Sequence, residues 1–142
     1  MVDIHTHILP GIDDGANDTD TSLRMLLQQF RMGVDRVILT PHFECFNQSL
    51  DEFLDARNSA YSRLTAAGDG VRLPELKMGA EVAYYPDLID MDLKPLTLGG
   101  SRYLLLEPPF RTYPTFIKPL ISGMLDNGII PILAHVERFY YF

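Results

Sequence analysis

The sequence predicts an α/β fold of parallel strands, of the β/α-barrel kind rather than an open doubly wound sheet, on three observations. Short β-forming runs alternate with amphipathic helical stretches. The connections are short, which calls for parallel strands with right-handed crossovers. Each of five predicted strands also runs into a histidine or glutamate. Barrel enzymes gather their functional residues at the carboxyl ends of parallel strands, and this last observation decides for the barrel.

The first strand, residues 2–4, leads into an acid-bearing, turn-rich loop through His5 and His7. Leu23, Leu26, Leu27 and Phe30 then fall at i, i+3, i+4 and i+7, one face of a helix. Asp18 or Thr19 caps its start, and Gly33 supplies a left-handed stop. Residues 36–40 form a second strand, delivered to Pro41-His42. Ser49 followed by Glu52 is a capping-box signature for the next helix, with Phe53, Ala56, Ala60 and Leu64 as its buried stripe. Gly68 and Gly70 close it.

A third strand covers residues 76–82 and contains Gly79-Ala80-Glu81. Residues 86–92 read as a short helix, and 94–100 as a loop with a small β-extension. The fourth strand, 103–106, is unbroken and apolar, as buried parallel strands usually are, and runs into Glu107. A helix over 114–127 buries Ile117, Leu120, Ile121 and Met124; Pro119 is tolerable near its first turn, where amides lack partners. Gly128 ends it, and a fifth strand, 129–134, is delivered to His135. No repeat, low-complexity stretch or linker interrupts the 142 residues, which read as one domain.

Composition narrows the chemistry. A net charge of −7 offers no electrostatic footprint for nucleic acid, while the acidic residues suit divalent cations. The single Cys45 rules out an internal disulfide framework and a Cys-rich zinc module. No basic-then-apolar leader opens the chain, and no apolar run approaches the ~18 residues needed to span a bilayer. The expectation is therefore a cytoplasmic protein with no membrane insertion.

The candidate metal-type residues are His5, His7, His42, Glu81, Glu107 and His135. Side chains two apart on a strand share a face roughly 7 Å apart, so His5 and His7 aim at one point. Glu107 follows a buried strand and must be paired or metal-bound to stay charged there. Nitrogen and oxygen donors without thiolate suit Mn, Fe, Zn or Mg, and their number suggests two or three ions. Such clusters clamp phosphoryl oxygens and generate hydroxide from bound water.

These residues carry a resemblance. His5-Thr6-His7-Ile8-Leu9-Pro10-Gly11-Ile12-Asp13-Asp14-Gly15, Thr40-Pro41-His42, Gly79-Ala80-Glu81, Leu106-Glu107 and Ala134-His135-Val136-Glu137-Arg138-Phe139 resemble the polymerase-and-histidinol-phosphatase (PHP) superfamily. Within it the sequence is most similar to the bacterial protein-tyrosine phosphatases of capsular and exopolysaccharide clusters. The resemblance implies a distorted β/α (TIM-like) barrel of PHP type, here about its first five β/α units, with a trinuclear centre usually described with manganese. It implies His5, His7, Asp14, His42, Glu81, Glu107 and His135 as ligands, Asp13 as supporting, and Arg138 as the phosphate-binding arginine, a role its bidentate geometry suits.

The family continues past this segment to an Asp-x-His pair on its last strand, and no such pair occurs here. The expectation is a PHP metallophosphatase domain over 1–142 that is C-terminally incomplete, a fragment or a truncated gene. An unclosed barrel exposes strand edges, so the chain alone is expected to be poorly folded, oligomeric or inactive, with its C-terminal aromatic cluster uncovered.

The implied reaction is hydrolysis of phosphotyrosine on protein, with a bacterial tyrosine kinase as the expected partner. A metal-bridging hydroxide attacks phosphorus in line, Arg138 and the ions stabilise the equatorial oxygens, and Asp13 or a metal-bound water serves as acid. A thiolate route is closed, because Cys45 is followed six places later by Asp51 rather than by arginine. The alternatives are another PHP phosphoesterase of the histidinol-phosphate type, a polymerase-associated nuclease, which the acidic charge disfavours, more distant metal-dependent amide hydrolysis, and a non-catalytic remnant that binds metal or a partner kinase.

Overall fold

A computed structural model describes residues 1–140; the aromatic pair Tyr141 and Phe142, part of the expected C-terminal cluster, lies outside the described residues. The elements alternate as the sequence pattern requires. β1 (Val2–Thr6) is followed by α1 (Thr19–Arg31), β2 (Arg36–Leu39), β3 (His42–Phe43) and α2 (Leu50–Ala67). Then come β4 (Glu75–Met78), β5 (Glu81–Ala83), β6 (Tyr103–Glu107), α3 (Ile117–Asp126) and β7 (Ile130–Leu133).

The strands form two parallel sheets, ordered β1-β2-β4 and β3-β5-β6-β7. Among the described residues no pairing joins β7 back to β1, so the array is open rather than a closed barrel. The two sheets are joined by two chain paths that bend at the same level. β2 passes into β3 through Thr40-Pro41, and β4 passes into β5 through Gly79-Ala80. Pro41 has no amide to continue a ladder. Hydrogen bonds still cross the bend: the Gly79 amide donates to the Leu39 carbonyl at 2.9 Å and the Glu81 amide to the Pro41 carbonyl at 3.0 Å.

The single strand expected over 76–82 is therefore two, in different sheets. Gly79 allows the bend because a Cβ there would stand 3.1 Å from Leu98 Cδ2 and 3.3 Å from the Leu98 Cα. Other expectations also need correction. Residues 94–100 carry no β-extension; they form two 3-10 turns, Lys94–Leu96 and Leu98–Gly100, where Gly99 and Gly100 take φ of 61° and 74°. The helix expected over 86–92 is a 3-10 turn, Pro86–Asp90. α3 starts at Ile117 rather than near 114, which puts Pro119 third in the helix; an earlier start would set its ring against the preceding turn.

Caps behave as their chemistry dictates. Asp18, not Thr19, caps α1 by accepting from the Thr21 amide, and Gly33 follows at φ 84°. Ser49 and Glu52 form a reciprocal capping box on α2. The buried stripe of α2 is Phe53, Arg57, Ala60 and Leu64; Ala56 is exposed, so an arginine stands where an alanine was expected. Three apolar clusters pack on the sheets: one around Phe43, Phe53, Leu104 and Leu120, a second around Leu26, Leu39 and Leu64, and a small third of Ile38, Leu98, Leu105 and Ala134.

Between β1 and β2 the ladder is reinforced by hydroxyls. Thr6 Oγ1 donates to the Ile38 carbonyl at 2.9 Å, and Thr40 Oγ1 donates to the Thr6 carbonyl at 3.1 Å and accepts from the Thr6 amide at 2.9 Å. Both threonines are buried. Beyond β1 the loop folds back so closely that a Cβ on Gly15 would lie 2.0 Å from the His7 carbonyl oxygen and 2.5 Å from His7 Cβ.

Two substitutions separate helix stability from this local constraint. Ser49→Ala removes an exposed cap and is expected to cost about 1 kcal/mol. Gly15→Ala is expected to cost more and to shift the His7 imidazole resonances. Urea titrations and side-chain NMR would check both, and an unshifted His7 spectrum in Gly15→Ala would contradict the packing.

Candidate metal centre

The ends of five strand paths meet beyond the bend. β1 carries His5, and His7 follows its last residue. His42 opens β3 immediately after Pro41 and is paired in register with Glu81, which opens β5. Glu107 closes β6, and His135 follows β7 after Ala134. His135 takes φ 55°, the one positive φ at a non-glycine among the described residues. Histidine tolerates that region better than most residues, and strain of this sort collects at functional sites.

Glu81 is the point on which the others converge, and it is fully buried. His5 Nε2 stands 3.0 Å from Glu81 Oε2, His7 Nε2 at 3.1 Å and His42 Nδ1 at 3.3 Å. His135 Nε2 approaches the other oxygen, Oε1, at 3.0 Å. The rings lie close, with centroids of His7 and His42 4.5 Å apart and those of His5 and His135 4.9 Å apart. Glu107 Oε1 is 3.9 Å from His135 Nε2, and Asp14 Oδ1 is 3.5 Å from His42 Nε2.

Asp13 organises rather than joins this cluster. Its Oδ2 accepts from His7 Nδ1 at 2.8 Å and from the His42 amide at 3.2 Å, while Oδ1 accepts from the Gly15 amide at 3.0 Å. Such a carboxylate fixes the ring orientation of a ligating histidine and leaves Nε2 facing the centre.

The charges follow from this packing. The Asp13 carboxylate on Nδ1, and then the Glu81 carboxylate close to Nε2, push His7 up to about 10 from its ordinary 6.5. Burial raises the Asp13 carboxyl, but His7 and the Gly15 amide outweigh it and hold it below the usual carboxylate range. Glu81 behaves likewise: burial raises it, and His5 and His7 outweigh burial and keep it ionised. Glu107 goes the other way, raised by burial and by the neighbouring Glu81.

The donor set fits divalent cations. Both Glu81 oxygens are buried without a hydrogen-bond partner, although four imidazole nitrogens stand within 3.3 Å of them. Buried carboxylates are normally hydrogen-bonded or held by a metal. Three sets of donor atoms lie within 4.8 Å of one another: His5, His7 and Glu81; His7, Asp14 and His42; and His42, Glu81 and Glu107. Imidazole and carboxylate suit Mn, Fe and Zn.

Arg138 is not in this cluster. It sits on a 3-10 turn, Val136–Arg138, with its guanidinium 5.7 Å over the Phe110 ring and Nε 3.7 Å from Glu137. It lines an adjoining hollow with Phe110, Arg111, Glu137, Phe139 and Tyr140. Sequence reasoning missed Thr6 and Thr40, which brace the strand ends that carry the histidines. Thr40 ends the apolar run 37–39 directly before Pro41-His42, which is the signal that could have found it, whereas Thr6, between His5 and His7, gave none. It also missed Arg57, for which only a cation on the helix stripe gave a hint.

Comparison with known proteins gives these positions a context. The profile of the capsular polysaccharide synthesis family CpsB/CapC matches residues 1–142. The tyrosine-protein phosphatase YwqE of Bacillus subtilis is 33% identical over 143 residues, covering 97% of this chain and 55% of that protein. The tyrosine-protein phosphatase CpsB of Streptococcus pneumoniae is 34% identical over 147 residues, covering 98% and 58%. A crystal structure from work on YwqE and CpsB, described as unique metal-dependent tyrosine phosphatases, superimposes with a TM-score of 0.75 at 32% identity. That match takes in 98% of this chain and 57% of the other. The chain thus spans somewhat more than half the length of these relatives. Matched from end to end, with its strand tips gathered on one buried carboxylate, the chain belongs to the CpsB/CapC family of capsular polysaccharide synthesis.

Proposed function

We propose that the chain is the ligand-bearing part of a metal-dependent protein-tyrosine phosphatase that regulates capsular or exopolysaccharide synthesis. The observation that carries this reading is the buried Glu81, faced by four imidazoles and hydrogen-bonded by none. The open parallel array is read as the first strands of a distorted PHP-type barrel. His5, His7, Asp14, His42, Glu81, Glu107 and His135 would hold two or three divalent ions, manganese first, with Fe, Zn or Mg as alternatives. Bound there, the ions would supply Lewis-acid activation of water and charge neutralisation for phosphoryl transfer.

The chain's own residues divide the remaining tasks. Asp13 holds the His7 ring through Nδ1 and so keeps Nε2 turned towards the centre. Arg138, on the rim over the Phe110 ring, would bind the phosphate through its planar fork. Asp13, held ionised by His7 and the Gly15 amide, carries no proton for a leaving phenolate and is read as an orienting group alone. The substrate class is phosphotyrosine on protein, a bacterial tyrosine kinase being the proposed partner. No helix among the described residues is long and apolar enough to cross a membrane, and a cytoplasmic location is part of the proposal.

The test is manganese-dependent phosphate release by the chain from a phosphotyrosine peptide, set against histidinol phosphate. Release from the peptide alone supports the proposal. Preference for histidinol phosphate, or metal uptake with no turnover of either, would assign the chain to a small-phosphoester enzyme or to a metal-binding remnant.

Two further outcomes are expected. Glu81→Gln should weaken Mn2+ binding by more than the roughly 10- to 100-fold that follows loss of an outer-shell partner. Asp14→Asn, at an exposed position, should do less harm; calorimetric titration compares them. Metal binding should also be proton-linked. His7 carries a proton up to about pH 10 in the metal-free chain, so coordination through Nε2 releases it and affinity should rise with pH below that value. For the metal-free fold the sign is opposite. The His7 proton stabilises it fully below pH 6.5, and that contribution is lost as pH climbs to about 10. Titration in buffers of differing ionisation enthalpy would detect the released proton, and its absence would exclude His7 as a ligand.

A further inference from the structure

We infer that Arg57 is a positioning residue for Glu81, holding the backbone bend that points this carboxylate into the metal centre; the inference rests on the metal-site reading above. Arg57 lies on the buried stripe of α2 between Phe53 and Ala60 and is only 5% exposed. Its Nη1 donates to the Gly79 carbonyl at 2.8 Å and to the Pro95 carbonyl at 3.1 Å. Its Nε is buried without a partner, and among the described residues no carboxylate lies within ion-pair distance of it. The guanidinium stands 5.5 Å over the Phe53 ring.

Packing does not account for this side chain. Burying a guanidinium without a carboxylate is unfavourable, and a hydrocarbon of similar volume would fill the stripe without that penalty. What arginine adds is a donor that grips two carbonyls at one place. One of them, Gly79, is the pivot between β4 and β5, where the chain leaves one sheet for the other. Its amide is committed to the Leu39 carbonyl, so Arg57 and Leu39 fix the pivot from both sides. Pro95 ties the same guanidinium to the 3-10 turn Lys94–Leu96, which anchors it against the core.

Two residues after the pivot comes Glu81. Metal-binding carboxylates are usually oriented by hydrogen bonds from neighbouring groups. No donor is aligned for a hydrogen bond on either Glu81 oxygen, the imidazoles standing only at contact distance, so the backbone of Gly79-Ala80-Glu81 sets where the side chain starts and in which direction it leaves. The Glu81 amide fixes one end of that segment on the Pro41 carbonyl, and Arg57 fixes the other. A side chain outside the centre thereby determines where its central ligand lies.

The experiment titrates the full chain with Mn2+ alone, following free Mn2+ by electron paramagnetic resonance, with circular dichroism to report folding. Arg57→Met should weaken binding about tenfold or more, the size of an outer-shell loss, while the fold persists. Arg57→Lys returns a donor to the Gly79 carbonyl and should recover most of the affinity. Leu64→Ala, a cavity on the same helix, serves as the destabilised control and should bind Mn2+ as the unaltered chain does. If Arg57→Met does not fold, Arg57→Gln, which stays polar but is too short to grip both carbonyls, takes its place: weakened binding with the fold intact supports the role, and unchanged binding overturns it. Unchanged binding in Arg57→Met, or an equal loss in Leu64→Ala, overturns the positioning role and leaves the metal site standing. Failure of the unaltered chain to take up Mn2+ overturns both.

Discussion

The structure turns on one buried carboxylate. Glu81 stands in the interior with both oxygens lacking hydrogen-bond donors, while imidazoles from three separate segments press on it. An arrangement of this kind has two ways to be stable: imidazolium ions next to a carboxylate, or divalent cations among neutral ring nitrogens. In the metal-free chain His7 takes the first course, as its proton is held far above the ordinary imidazole range. The second course accommodates Glu107 as well. That carboxyl is pushed up by burial and by Glu81, and an added cation would relieve the repulsion.

The rest of the fold can be understood as the means of holding that point still. Parallel strands bring their carboxyl ends to a common level, but a straight sheet would not turn Glu81 inward. The bend through Pro41 and Gly79 does so, because a residue without an amide and one without a side chain occupy adjacent positions on neighbouring paths. The threonine hydroxyls brace β1 against β2 just before His7. Gly15 lets the acidic loop lie against His7, which brings Asp13 to its ring. These contacts are local and directional, whereas the apolar clusters on either side supply bulk stability without specifying any one geometry.

Much of this was legible in the chain. Residue chemistry at strand ends is a strong signal, because a His or Glu following an apolar run has few ordinary reasons to be there. The capping box at Ser49 and the glycine stop at Gly33 were equally readable, being local backbone chemistry. What the sequence concealed depends on contacts between distant segments. Nothing within 76–82 says that its strand will split, since that follows from Leu98 and Ile38 crowding Gly79. The choice of Arg57 over Ala56 for the core reflects carbonyls 22 and 38 residues away. Arg138 sits on the rim because a 3-10 turn follows His135, and three residues of spacing alone could not fix its direction.

The most direct test of the central claim is anomalous diffraction at the manganese edge from crystals grown with Mn2+. The account predicts anomalous peaks within coordination distance of Glu81 and of the imidazoles of residues 5, 7, 42 and 135. Well-ordered crystals with no anomalous density among those side chains, or with density only at surface carboxylates elsewhere, would contradict it.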